Sequence, residues 1–194
     1  MAGTNHDVAD ATPARRGALS ALLARIPLSV RAVVYYVIFF VAFILILVPW
    51  LAHLLGARFL PATWQIEIGW GRGVGWLIFA IFYVAYTLSS LVLMRRGRGA
   101  YVEFDPPKEL VATGPFRWCR NPIAACVLGM ILGEALAFCS TGIFLLFLVG
   151  LPLAHLQVVL LEEPRLEKRF GQTYIDYRAR VPRWIPRPPR EQSS

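Results

Sequence analysis

Two adjacent carboxylates, Glu162 and Glu163, follow directly on a long apolar run. Acidic groups at the edge of hydrocarbon are costly to dehydrate, so an adjacent pair there calls for a partner. Two partners fit: Arg117 and Arg120, which precede another apolar run and would form an ion pair, or a cationic or polyhydroxyl ligand held between two helix ends. Upstream, residues 109–122 carry a Gly114-Pro115 turn, an aromatic and basic rim at Phe116, Arg117, Trp118 and Arg120, and Pro122 placed to start a helix. The amides of such a helix N-terminus attract an anionic group such as a carboxylate, although an ordinary capped membrane helix has the same appearance. Glu134 lies about 13 residues into the run that starts at Pro122, deep in the bilayer, where an unpaired carboxylate costs roughly 2.5–3.5 kcal/mol. It follows Gly129 and Gly133, a spacing that favours close helix contact and turns Glu134 toward the bundle. His155 and Gln157 are further polar candidates for touching a substrate, or else make interhelical hydrogen bonds.

The elements that must position these groups are membrane helices. Of 194 residues, 57% are hydrophobic and 16% charged, against about 45–50% and about 25% in soluble domains. Residues 32–57 and 73–94 contain no Asp, Glu, Lys or Arg, and 121–161 contain only Glu134. A span takes roughly 20 helical residues. The last window suits two spans, broken at the turn-forming Cys139-Ser140-Thr141-Gly142. The sequence therefore predicts an all-α, polytopic membrane protein with about four transmembrane helices, near 32–55, 74–94, 122–138 and 143–161, and a cytoplasmic C-terminal helical extension. Because 122–161 forms a hairpin, the groups around Arg120 and Glu162 return to the same side.

Of the 20 Lys and Arg residues, all but Arg58 and Arg72 fall on one side of these spans. The positive-inside rule then puts both termini and the loop 95–121 in the cytoplasm, in a bacterial inner membrane or another cellular membrane. Topology and anionic lipid account for the net charge of +8, and no nucleic-acid partner is expected. Residues 1–29 are read as a cytoplasmic tail without a cleavable signal. Leu19, Leu22, Leu23 and Ile26 have the spacing of an interfacial helix, while the neighbouring arginines alone would make a stop-transfer cluster. Residues 30–194 are read as one domain, with Phe59, Trp64, Trp70 and Trp76 anchoring its outer loop. The three cysteines form no CxxC pair, so neither a zinc site nor a disulfide framework is expected, and no nucleotide-binding glycine motif occurs.

Two segments carry a resemblance. They are Leu-Val-x-Thr-Gly-Pro-Phe-x-x-x-Arg-Asn-Pro at 110–122 and Glu-Glu-x-x-Leu-x-x-x-Phe-Gly-x-x-Tyr-x-x-Tyr-x-x-x-Val-Pro-x-x-Ile-Pro at 162–186. Over residues 109–187 the chain resembles the integral-membrane methyltransferases that include isoprenylcysteine carboxyl methyltransferases and phospholipid N-methyltransferases. The resemblance implies S-adenosylmethionine as methyl donor, bound by the segments 100–121 and 162–187. Carried over by position, donor contacts fall on Leu110, Val111, Phe116, Asn121, Pro122, Ile123, Ala124 and Glu162, with Lys108 and Glu109 close by. Glu163, Tyr174, Tyr177 and Arg178 would support the pocket's lid, Tyr177 and Arg178 at the donor. Glu162, Glu163 and Arg120 are the expected catalytic groups, and Glu134, His155, Gln157 and Val158 the expected acceptor-side groups.

The chain also departs from the family. Arg120-Asn121-Pro122-Ile123-Ala124 stands where Arg-His-Pro-x-Tyr is common, Cys126 replaces a frequent Gly, and Val158 replaces an Arg linked to substrate in the isoprenylcysteine enzymes. Val158 favours a different lipid-like or small hydrophobic acceptor, whereas the aromatic missing at Ala124 bears on the donor contact and is the best support for the inactive alternative. For an amine acceptor, the base is open among Glu163, Glu134 and His155. A catalytically silent scaffold or lipid-binding subunit with the same fold is the alternative; a transporter would need a longer polar path than Glu134, His155 and Gln157 provide.

Overall fold

The computed structural model describes residues 36–61, 69–97 and 108–187, together with positions 27, 30, 33 and 34. The interfacial-helix reading of the N-terminal tail, the Trp64 anchor and the 100–107 part of the expected donor segment lie outside these residues. Every regular element described is helical. A π-helical stretch, Tyr36–Leu47, leads into α1 (Val48–Phe59); α2 is Gly71–Gly97, α3 Pro122–Ala137 and α4 Thr141–Gln157. A π-helical turn, Val158–Glu162, joins α4 to α5 (Glu163–Phe170), and α6 (Gln172–Arg180) follows.

Three helices are long and apolar enough to cross a membrane: Phe40–Phe59, Gly71–Gly97 and the continuous Thr141–Phe170. The helix Pro122–Ala137 is apolar but shorter. Helices overrun the expected span limits where charged residues cap them: α1 continues through Arg58, α2 starts before Arg72, and the helix of α4 passes Leu161 into the charged α5. Long basic side chains reach the headgroup level from helix ends, so hydropathy windows underestimate helix length.

The short α3 occupies the centre of the bundle, with Met130, Ala135 and Ala137 buried. It lies closest to α2. A Cβ on Gly133 would stand 2.7 Å from the Phe79 backbone nitrogen and 2.9 Å from the Gly75 carbonyl oxygen, so only glycine permits this separation. At the level of Gly133 the contact is backbone against backbone, the small-residue packing on which membrane helices rely when hydrophobic driving force is absent. Phe40, Tyr86, Cys126 and Met130 form one cluster of the core, and Ile131, Ala135 and Ile143 another. The α3–α4 turn falls at the expected break, where Ser140 accepts a hydrogen bond from the Ile143 amide at 3.3 Å and caps α4. The start of α3 and the end of α4 therefore share one end of the bundle.

Candidate functional site

The connector into α3 is held in place from several sides. Gly114 adopts φ +61, a left-handed turn that suits glycine, and folds the chain against Val92 of α2. A 3₁₀ turn, Gly114–Arg117, buries Phe116. The amides of Lys108 and Glu109 close on the Gly97 carbonyl at 2.6 and 3.3 Å, fastening the connector to the last residue of α2.

The two glutamates have different surroundings. Glu163 is buried and accepts hydrogen bonds from Arg120 Nη1 at 3.0 Å and from Arg183 Nε and Nη2 at 2.6 and 3.0 Å. Of the two proposed arginine partners, Arg120 reaches the pair. Glu162 is half-buried and accepts from Gln157 Nε2 at 3.3 Å. The π-helical turn ends between them, and such turns often mark functional positions. Arg120 Nε is buried without a hydrogen-bond partner among the described residues.

Tyr174 and Tyr177 are buried against Val181, with Leu110, Leu166 and Phe170 packed around them. The Tyr177 hydroxyl donates to the Phe116 carbonyl at 2.6 Å, bracing α6 against the connector. Burial pushes the Tyr177 and Tyr174 phenols above their usual ionisation range, so both remain donors. Arg178 is exposed and pairs with Glu167 at 3.0 Å.

After α6 the chain crosses back over the α3 entry. Arg120 N donates to the Pro182 carbonyl at 2.9 Å and Arg187 N to the Trp118 carbonyl at 3.1 Å. Asn121 Nδ2 donates to the Arg183 carbonyl at 3.1 Å, so this expected donor contact is committed to the strap. Cys119 Sγ lies 3.4 and 3.2 Å from the Arg183 and Trp184 carbonyls, and burial raises its thiol pKa against the opposing Asn121 amide and Arg120 charge. Trp184 Nε1 donates to His155 Nδ1 at 3.1 Å. Sequence reasoning missed Arg183 and Trp184; their only signal was a position inside the Val-Pro-x-x-Ile-Pro segment.

The remaining expected residues are spread more widely. Val158 is fully buried, whereas Pro122 is buried beside half-exposed Ile123 and Ala124 at the start of α3. Glu134 is buried deep in the bundle with Oε2 lacking a partner among the described residues, one helix length from Glu162. Glu109, Leu110 and Val111 line a cleft of about 370 Å³ with Arg95, Arg96, Ala112 and Thr113. Arg96 Nη1 donates to Thr113 Oγ1 there at 2.9 Å.

A membrane bundle whose carboxylate-bearing helix end is strapped to the entry of a central helix defines a membrane-embedded class of protein, and the comparisons specify it. The phospholipid methyltransferase family model matches residues 70–173, more than half of the chain, and the chain belongs to that family. The matched region runs from α2 through the start of α6 and includes the connector and both glutamates. Neither a curated protein nor a solved structure matches the chain significantly.

Proposed function

We propose that the protein is an S-adenosylmethionine-dependent methyltransferase that methylates a lipid-like or small hydrophobic acceptor at the cytoplasmic surface of its membrane. The observation that carries this reading is that Arg120, bonded to Glu163, lies with the adjacent, half-buried Glu162 at one end of the α3–α4 hairpin within a phospholipid methyltransferase domain. The donor set fits: the amino-acid moiety of S-adenosylmethionine presents an ammonium and a carboxylate, which need an acceptor such as Glu162 and a donor such as the unpartnered Arg120 Nε. Leu110, Val111 and Phe116 supply apolar walls, with Ile123 and Ala124 at the α3 entry. When bound, the cofactor supplies a methyl group activated on a sulfonium.

The protein's own contribution is alignment and exclusion of water, effects that can be worth roughly 7–11 kcal/mol. Glu162 orients the donor's polar groups. Glu163 acts as a positioning residue, because Arg120 and Arg183 occupy its carboxylate. His155 Nδ1 accepts the Trp184 N–H, which leaves the ring proton on Nε2. Residues 30–194 act as one domain. The distribution of Lys and Arg supports cytoplasmic termini and a cytoplasmic site.

Incubating the purified chain with methyl-labelled S-adenosylmethionine and lipid extract tests the reading. Label is expected in a lipid-soluble product with wild type and in none with Glu162→Ala. A silent scaffold would give no label with either, although both remain folded.

A further inference from the structure

Gln157 and Glu162 bracket the π-helical turn that ends the apolar stretch of α4. In a regular α-helix of 3.6 residues per turn, side chains five apart point about 140° away from each other. The turn Val158–Glu162 is closed instead by a five-residue step, the Glu163 amide donating to the Val158 carbonyl, and so takes up an additional residue. Gln157 Nε2 thereby reaches Glu162 Oε1 at 3.3 Å, a contact that an unbroken α-helix would not make. Pro164 accounts for the wide turn: it has no N–H to continue the α-helical ladder, and its ring crowds the carbonyl four residues back, at Leu160.

The two carboxylates are left with different kinds of partner. Glu163 is neutralised by Arg120 and Arg183. Glu162 accepts from an amide, which fixes one oxygen without supplying a charge, while the exposed Arg165 one turn further on acts on it electrostatically. Gln157 is itself exposed, and water competes for both groups, so the bond adds little to folding. Its value lies in ligand binding. A neutral donor restricts the Glu162 rotamer, which lowers the ordering cost when a cation binds, and leaves the negative charge in place for that cation.

We propose that Gln157 is a positioning residue of the donor site: across the π-helical turn it holds Glu162 Oε1 and leaves Oε2 for the ammonium of the methyl donor's amino-acid moiety. This rests on the proposed reading of Glu162 as the group that orients the donor, and it puts Gln157 on the donor side of the site instead of the acceptor side.

The test is calorimetric titration of S-adenosylhomocysteine, and of 5′-methylthioadenosine, which has no amino-acid moiety, into the full chain in detergent micelles. Gln157→Leu, which keeps the bulk and removes the donor, should weaken S-adenosylhomocysteine about tenfold and 5′-methylthioadenosine by no more than about twofold. Gln157→Lys, whose ammonium would occupy the carboxylate, should lose at least as much S-adenosylhomocysteine affinity as Gln157→Leu. Leu156→Ala, at an exposed neighbouring position, should change neither ligand, and all three variants should melt like wild type. Full affinity in Gln157→Lys, or equal losses of both ligands in Gln157→Leu, the mark of a merely structural residue, would overturn the inference. Wild-type binding that is lost in Glu162→Ala but kept in Gln157→Leu would overturn it alone. No binding by folded wild type would overturn the donor reading beneath it as well.

Discussion

Glu163 Oε1 and Arg120 Nη1 lie 3.0 Å apart across 43 residues of sequence, with both side chains only 8% exposed. Removing one partner of such a buried pair leaves the other charge uncompensated, at a cost on the order of 3–5 kcal/mol. Glu163→Gln should therefore lower the unfolding midpoint in detergent by several degrees, whereas Glu167→Gln, in an exposed pair with Arg178, should barely move it. Equal midpoints for Glu163→Gln and wild type would show that the contact carries no stability.

The strap over residues 118–121 makes Cys119 a reporter. The residue is 2% exposed and its thiol faces the Arg183 and Trp184 carbonyls. In a background with Cys126 and Cys139 replaced by serine, truncation after Val181 should accelerate maleimide labelling of Cys119 at least tenfold. Unchanged labelling would mean that the strap does not cover the α3 entry.

Tyr177 gives an alkaline signature. Burial raises its ionisation above the ordinary phenol value of about 10, so its contribution to stability is full below that pH and is lost as pH rises beyond it. Tyr177→Phe should be less stable than wild type at pH 8 by about 1–3 kcal/mol, because the Phe116 carbonyl loses its donor. The gap should narrow above pH ~10. Thermal melts of both proteins from pH 8 to 11 check this; a gap that does not change with pH would contradict it.

Close packing of α2 on α3 is testable at one atom. The methyl of Gly133→Ala would press on the Phe79 and Gly75 backbones, which cannot rotate aside, and overpacking of this kind costs about 1–3 kcal/mol. Gly73→Ala, where a Cβ meets open space, is the control and should be neutral in the same melt.

Much of this fold could be read from the sequence because membrane helices declare themselves by uncharged length: α2, α3 and the turn at Ser140 fall close to the hydropathy reading. The helix ends did not, because Arg58, Arg72 and Glu162 continue helices past the apolar windows. The hairpin topology alone brought Arg120 toward the glutamate pair. Sequence could not divide the pair into a buried, arginine-held Glu163 and a half-buried Glu162, since that depends on which face of the π-helical turn each occupies. Arg183 was hidden for a similar reason: its contacts reach back more than 60 residues to Cys119 and Asn121. Arg95 and Arg96 read only as topology signals until the connector folded beside them.

The central claim is a donor site that depends on Glu162. Calorimetric titration of S-adenosylhomocysteine into the detergent-purified chain, wild type beside Glu162→Ala, tests it most directly. The account predicts saturable one-to-one binding by wild type and its loss in a Glu162→Ala protein that melts like wild type. No binding by folded wild type, repeated in lipid nanodiscs, or undiminished binding by Glu162→Ala, would contradict it.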